Sequence, residues 1–390
     1  MTPMRAILRQ FSFAPRDSRP QSKLDSLQLL RAMAAGAVVL AHAAHEADGF
    51  SGAPALGAAW NLGFGVDIFF VISGFIMLYS SFDEFGRDGA PQRFFLRRWS
   101  RVAPLYWLLT TVLIVGSLAA PWLLKTPIGD VEHVVASYLF IPDPRGPGEV
   151  RPVMALGWTL EYEMMFYLLF SAALLLPARR GIAWLSCALA LLVALGALAA
   201  PQDVRIAFWT RPIILEFLMG VFAALAFRAG LRLSAPAALA LGAFGLLGFL
   251  RWQGDSSEVY AWRWLIGGAP AACLALAAAL GPGISEGRLK SLGVAIGNAS
   301  YGLYLIHPFV LRPLGLVWMK TVGLRLPPSC FLVFGCIVSV AAALLLYRFV
   351  ERPLTDYLQR RIVVGRKRAQ AALFAKRIAF AAQRLKRVQA

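Results

Sequence analysis

The stretch LQLLRAMAAGAVVLAH, residues 27–42, decides the fold. It is apolar enough to enter a membrane, yet it carries Arg31 and ends at His42. As a helix, the eleven-residue step from one to the other makes three turns plus about 20°, so they share a face about 16 Å apart. A charged side chain at membrane depth costs several kcal/mol unless it faces a polar interior. The stretch therefore predicts a bundle of apolar helices around a reaction chamber, with a buried cation toward one leaflet and an imidazole toward the other.

The rest of the chain agrees with a membrane setting. Of 390 residues, 58% are hydrophobic and 15% charged, against about 25% charged in soluble domains. The expected fold class is all-α and polytopic. Ten spans are predicted, at 24–45, 62–80, 102–120, 155–176, 182–200, 206–227, 234–250, 261–281, 297–319 and 328–350. Residues 133–141 are too short to cross and read as re-entrant or interfacial. The expected division is a basic tail over 1–23, a transmembrane domain over 24–353 and a second basic tail over 354–390.

An even span count puts both tails on one side. That side then holds 27 of the 39 basic residues against 10 on the other, which places both termini in the cytoplasm. The short loops alone barely discriminate; the tails and the 81–101 loop decide. Residues 1–23 have no apolar run of signal-peptide type. The net charge of +18 clusters beside apolar spans and in the tails, the footprint of topology and anionic lipid headgroups rather than of nucleic acid. Residues 361–388 form a basic amphipathic pattern suited to the inner leaflet. Cys187, Cys273, Cys330 and Cys336 lie in or beside apolar segments without metal-ligand spacing.

Several spans carry residues that apolar packing does not need. Span 2 reads FGVDIFFVISGF over 64–75. Its Asp67 is an intramembrane carboxylate and a functional candidate; Ser73 and Gly74 allow close approach of a backbone or a substrate. The segment RFFLRRWSRVAPLYW, 93–107, places Arg98 and Arg101 on one face at the entrance to span 3. Guanidinium forks suit phosphates, and topology or headgroup anchoring is the competing explanation. Pro104 is expected near the helix start.

In GWTLEYEMMFY, 157–167, Glu161 and Glu163 are two apart and point to opposite sides. Glu163, in line with Tyr167, is expected inside, and Glu161 near the outer interface. In span 6, Glu216 lies deeper than Arg211. In GNASYGLYLIHPF, 297–309, Ser300, Tyr304 and His307 form a polar stripe with Tyr301 at its edge. Glu351, in FVERPL, is expected to pair with a nearby arginine. His45 and His133 read as solvated and incidental. One histidine on each of two spans, with no carboxylate at ligand spacing, makes a poor metal site, and no metal is expected.

Taken in order, Gln28-x-x-Arg31 with His42 beyond, GVDIFFVISGF, Arg98-x-x-Arg101-x-x-Pro104, WTLEYEMMFY, SYGLYLIHP and the closing ERP resemble acyltransferase family 3, the integral-membrane O-acyltransferases of surface and exported sugars. The wording of GVDIFFVISGFIM and WTLEYEMMFY is similar to the branch that acetylates bacterial exopolysaccharides. Gln28 departs from an Asp–Gly–Leu–Arg sequence frequent in the family, and the resemblance is to the stand-alone membrane form. It implies acetyl-CoA or another acyl-CoA as donor on the cytoplasmic side, a glycan hydroxyl as acceptor, a bacterial inner membrane and a link to polysaccharide-synthesis machinery.

Under that resemblance Arg31, Arg98 and Arg101 meet the CoA phosphates, and Ser73 adjoins the donor. His42 acts as general base, or carries the acyl group itself. Glu163 or Asp67 orients the imidazole or the acceptor; Tyr301, Tyr304 and His307 bind the donor arm or the acyl carbonyl. A transporter or flippase of a lipid-linked saccharide is the alternative. Its hallmark, repeated or broken helices around a midplane site, is not evident in the sequence.

Overall fold

The computed structural model describes residues 22–52, 55, 62–121, 128–146, 149–251, 262–323 and 325–362. The first basic tail up to residue 21 and the basic segment from residue 363 on lie outside them. Helix α1 runs Ser22–Ser51, α2 Gly65–Ser81, α3 Ala90–Ala119, α4 Val131–Leu139, α5 Trp158–Ala173, α6 Ala178–Ala199 and α7 Val204–Trp209. Then come α8 Leu215–Arg228, α9 Ala235–Arg251, α10 Ala269–Leu280, α11 Arg288–Asn298, α12 Ser300–Thr321 and α13 Pro328–Leu346. A two-stranded antiparallel hairpin, β1 Pro144–Gly146 and β2 Glu149–Val150, is the only sheet among the described residues.

Every predicted span coincides with a helical segment. Seven are long and apolar enough to cross a membrane, and Ala235–Phe249 and Trp264–Leu280 are shorter apolar helices. The chain is an all-α, multi-pass membrane protein. Two edges differ from expectation. Residues 93–101 are not a loop, because α3 starts at Ala90 and carries Arg98 and Arg101 on the same rod as span 3. Pro104 therefore sits inside the helix rather than near its start. The short apolar segment after residue 130 is a helix, α4, capped by the Asp130 carboxylate accepting from the His133 N–H at 2.8 Å.

Helix α1 is the hub, packing against α2, α10, α11, α12 and α13. Its small residues make this possible. Ala34, Ala35, Ala43 and Ala47 are fully buried, so neighbouring backbones approach closely, as small residues permit between membrane helices. Gly297 of α11 lies on the Gln28 carbonyl and Gly65 of α2 on the Ala34 carbonyl. The pair α2–α8 is locked by reciprocal contacts: a Cβ at Gly74 would overlap the Phe217 carbonyl, and one at Gly220 would overlap the Val71 carbonyl. Stacked aromatics fill the adjoining core, with Phe70 and Phe166 both against Phe217 at 4.6 and 4.5 Å between ring centroids.

The segments around α4 are tied by a charged staple. His133 Nδ1 bonds Asp143 at 3.1 Å, and Arg205 donates to Asp143 at 2.8 Å and to Glu132 at 3.0 Å. His133 is thus a buried member of a network, not an incidental loop residue. Burial pushes the Asp143 carboxyl up, but the hydrogen bonds from Arg205 and His133 hold it below its ordinary value.

Two outcomes follow for stability. Gly74→Ala drives a methyl into a backbone carbonyl and is expected to cost about 1–3 kcal/mol, read as a lower thermal midpoint in detergent. Because the Asp143 carboxyl is depressed on folding, its contribution is present above the unfolded value of about 3.9 and is lost as pH falls through the lower folded value. Asp143→Asn should melt below wild type near neutral pH, with the gap closing below about pH 4.

Candidate active site

Two helices bring three arginines to one place. Arg31 comes from the third turn of α1, and Arg98 and Arg101 come from one face of α3. With Ser73, Glu163, Tyr167, Ser300, Tyr301 and Tyr304 they line a narrow cavity of about 780 Å³ of empty space, whose apolar walls include Val66, Phe69, Phe70 and Ile76. Apolar walls with polar and charged groups converging on one space are the make-up of a small-molecule site, here an unusually polar one.

The polar groups divide into those already held and those left over. Glu163 Oε1 accepts from Ser73 Oγ at 3.0 Å and from the Tyr167 hydroxyl. Arg98 donates to Ser80 Oγ at 2.8 Å and lies over Phe94. The Tyr301 hydroxyl donates to the Val102 carbonyl at 2.6 Å, pinning α12 to α3. The Tyr304 hydroxyl donates to the Leu156 carbonyl and accepts from Thr159, each at 3.1 Å. By contrast, neither Arg31 nor Arg101 makes a direct hydrogen bond to another described residue, and the buried Ser300 hydroxyl has no partner among them.

Around these cations the carboxylates are Glu163 and Glu351, both within electrostatic reach of Arg31. Glu351 is buried against Gly302 in the first turn of α12, where a Cβ would lie 2.8 Å from its Oε2. A carboxylate there also complements the helix N-terminus. Three guanidinium groups to two carboxylates leave net positive charge in a site walled by apolar side chains. That excess suits an anionic ligand.

His42 and His307 lie beyond Tyr304. Their rings meet edge to face at 4.7 Å between centroids, and the His307 centroid is 6.4 Å from that of Tyr304. His42 Nδ1 is 2.8 Å from the Val38 carbonyl and His307 Nδ1 is 3.1 Å from that of Leu303. A carbonyl only accepts, so in both rings Nδ1 is the N–H donor and Nε2 is the nitrogen with the lone pair. His307 Nε2 is buried without a partner among the described residues. Neither histidine lines the arginine cavity; Tyr304 separates them from it.

A family model described as an acyltransferase domain matches residues 24–348. The chain belongs to acyltransferase family 3. Among curated proteins it is similar to the exopolysaccharide production protein ExoZ of Rhizobium meliloti (strain 1021), 35% identical over 300 residues, which cover 74% of this chain and 88% of that protein. It is also similar to the acyltransferase MdmB of Streptomyces mycarofaciens, 29% identical over 327 residues, 74% of this chain and 79% of that one. No solved structure matches the chain.

Within this membrane acyltransferase, Asp67 stands apart from the other sequence candidates. It is fully buried, accepts from Arg263 Nε and Nη2 at 3.1 and 3.2 Å, and lies outside the cavity. Glu216, also fully buried, neighbours the same pair. Gly267 and Gly268, in the π-helical turn Trp264–Gly268, make room for the two carboxyls. Glu161, on the side of α5 away from the cavity, is 1% exposed, with both oxygens unpartnered among the described residues. Among the described residues no cluster of three or more potential metal ligands occurs. Ser300, Tyr167 and Thr159 complete the cavity although sequence reading gave them no site role; their signal was the hydroxyl stripe and the WTLEYEMMFY wording. Arg263 had no signal.

Removing Arg263 strands a fully buried carboxylate, which typically costs about 3–5 kcal/mol. Arg263→Ala should therefore lower folded yield and thermal midpoint sharply. Thermal melts set against Arg98→Ala, which empties a cavity-facing site, check this.

Proposed function

We propose that the protein transfers an acyl group, acetyl as the leading choice, from acyl-CoA to a hydroxyl of an exopolysaccharide at the bacterial inner membrane. The observation that carries this reading is the arginine-lined cavity that ends, one tyrosine away, at a pair of imidazoles with free Nε2 atoms. The similarity to ExoZ, an exopolysaccharide production protein, supports the acceptor class. The excess of basic residues on the tail side supports cytoplasmic tails, which would turn Arg98 and Arg101 toward the compartment that holds acyl-CoA.

In this reading Arg31, Arg98 and Arg101 grip the CoA phosphates, guanidinium being suited to bidentate phosphate contacts. The apolar walls take the pantetheine arm. The unpartnered Ser300 hydroxyl supplies a donor to a carbonyl or amide of that arm. The Tyr167 and Ser73 hydroxyls fix Glu163 beside the arginines, so its role is to hold the guanidinium array rather than to touch the acceptor. Asp67, tied to Arg263, is a framework residue in this scheme.

His42 is the general base. With Nδ1–H committed to Val38, Nε2 accepts the proton of the attacking glycan hydroxyl. The oxygen forms the ester bond at the thioester carbonyl, the C–S bond breaks, and the CoA thiolate takes up the proton from the imidazole. His307, in edge contact with His42, fixes the ring that does this work.

Two measurements test it, on full-length protein in proteoliposomes with acetyl-CoA. His42→Ala should lower kcat by about 10²–10⁴-fold; unchanged glycan acetylation would remove the residue from the chemistry. Arg98→Ala and Arg101→Ala should each weaken acetyl-CoA binding by about 10- to 100-fold, the worth of a charge-assisted hydrogen bond. Unchanged donor affinity in both would refute the phosphate role. Mass analysis of surface glycan from cells with and without the protein should show loss of acetyl groups.

A further inference from the structure

A second cavity lies past the histidine pair. It holds about 960 Å³ of empty space, and its lining includes Glu46, Leu113, Arg145, Leu156, Phe309 and Arg312. Its position follows from two helices. Glu46 is one turn beyond His42 on α1, and Phe309 and Arg312 follow His307 on α12. Arg312 Nη1 donates to Glu46 Oε2 at 3.1 Å, so an ion pair joins the two helices just beyond the two imidazoles. The Arg312 side chain is 38% exposed, so the cavity opens outward here.

Only a thin wall divides the two cavities. Leu156 lines the second, and its carbonyl accepts from the Tyr304 hydroxyl, which lines the first. The histidines sit beside this partition. Neither imidazole lines a cavity itself: His307 adjoins Tyr304, which lines the first, and precedes Pro308, which lines the second. The first cavity has the cations and the apolar slot for a CoA donor. The second is wider and mixed: guanidinium groups and a carboxylate bond paired hydroxyls, while Phe309, Leu113 and Leu156 offer apolar faces to the C–H side of a sugar ring.

Resting on the acyl transfer proposed above, we propose that this second cavity is the acceptor vestibule. It seats the saccharide, with the Glu46–Arg312 pair as the polar wall that orients the reacting hydroxyl toward His42. Glu46 and Arg312 are specificity-determining contacts, and Phe309 is the stacking face. In the resting protein the ion pair holds the two groups in place; in the complex they share their hydrogen bonds with the sugar.

The test uses full-length protein in nanodiscs, acetyl-CoA as donor, and as acceptor the alkali-deacylated oligosaccharides of the exopolysaccharide made by the producing cell. Glu46→Gln and Phe309→Ala should each raise the acceptor KM by about ten-fold or more, while the acetyl-CoA Kd stays within about two-fold. The double variant Glu46→Arg with Arg312→Glu restores an ion pair of reversed polarity. A merely structural pair would be rescued by that exchange, whereas a sugar-binding wall stays impaired in acceptor KM. Wild-type acceptor KM in folded Glu46→Gln and Phe309→Ala, or full rescue by the exchange, overturns the vestibule while leaving the acyl transfer standing. No transfer by the wild-type protein to these oligosaccharides overturns the parent reading and the vestibule together.

Discussion

A guanidinium within an apolar helix has to be surrounded by polar groups or it costs several kcal/mol. Arg31 sets that condition at the centre of this protein, on the helix that touches five others. The bundle meets it by turning Arg98, Arg101 and Glu163 toward the same interior space and placing Glu351 within electrostatic reach. Everything else about the site follows from keeping that space open. Tyr301 pins α12 to α3 beside it, and Tyr304 spans its far end. The small residues of α1 let the neighbouring helices come close enough to seal its sides.

The buried charges serve two purposes and are kept apart in space. Asp67, Arg263 and Glu216 form a closed group between α2, α8 and the π-helical turn, with glycines supplying the room. Breaking such a group is expensive, because a carboxylate without a partner is left in apolar surroundings. The arginine cavity is the opposite case: Arg31 and Arg101 carry charge without direct hydrogen-bond partners among the described residues. Groups prepared in this way gain most from an incoming anion, because they have fewest bonds to give up.

The histidine pair sits where these demands change. On one side is the cationic cavity; on the other is the wider space walled by Glu46, Arg312 and Phe309. Both imidazoles spend their Nδ1–H on a carbonyl one turn earlier in their own helix. That contact holds each ring by its backbone and frees Nε2 for the interior. In the acyl transfer proposed above, this partition lets one base serve a donor and an acceptor held in different surroundings.

The helices, their order and several facings were legible from the chain alone, because they depend on local periodicity. An apolar run long enough to cross a bilayer marks a span, and the angular spacing of a helix puts Glu163 on the cavity with Tyr167 and turns Glu161 away from it, into another buried position. The family was legible from motifs in a fixed order, each of them local. What periodicity does not specify is the partner. Asp67 is indistinguishable in sequence from a catalytic carboxylate until Arg263, 196 residues away, is seen against it. Glu46 and Arg312 are 266 residues apart, and neither announces the other. Cavities are likewise invisible in the chain, since they are spaces left between helices whose packing is set by glycine and alanine contacts at long range. Local geometry determines where a side chain points; only the assembled bundle decides what it meets.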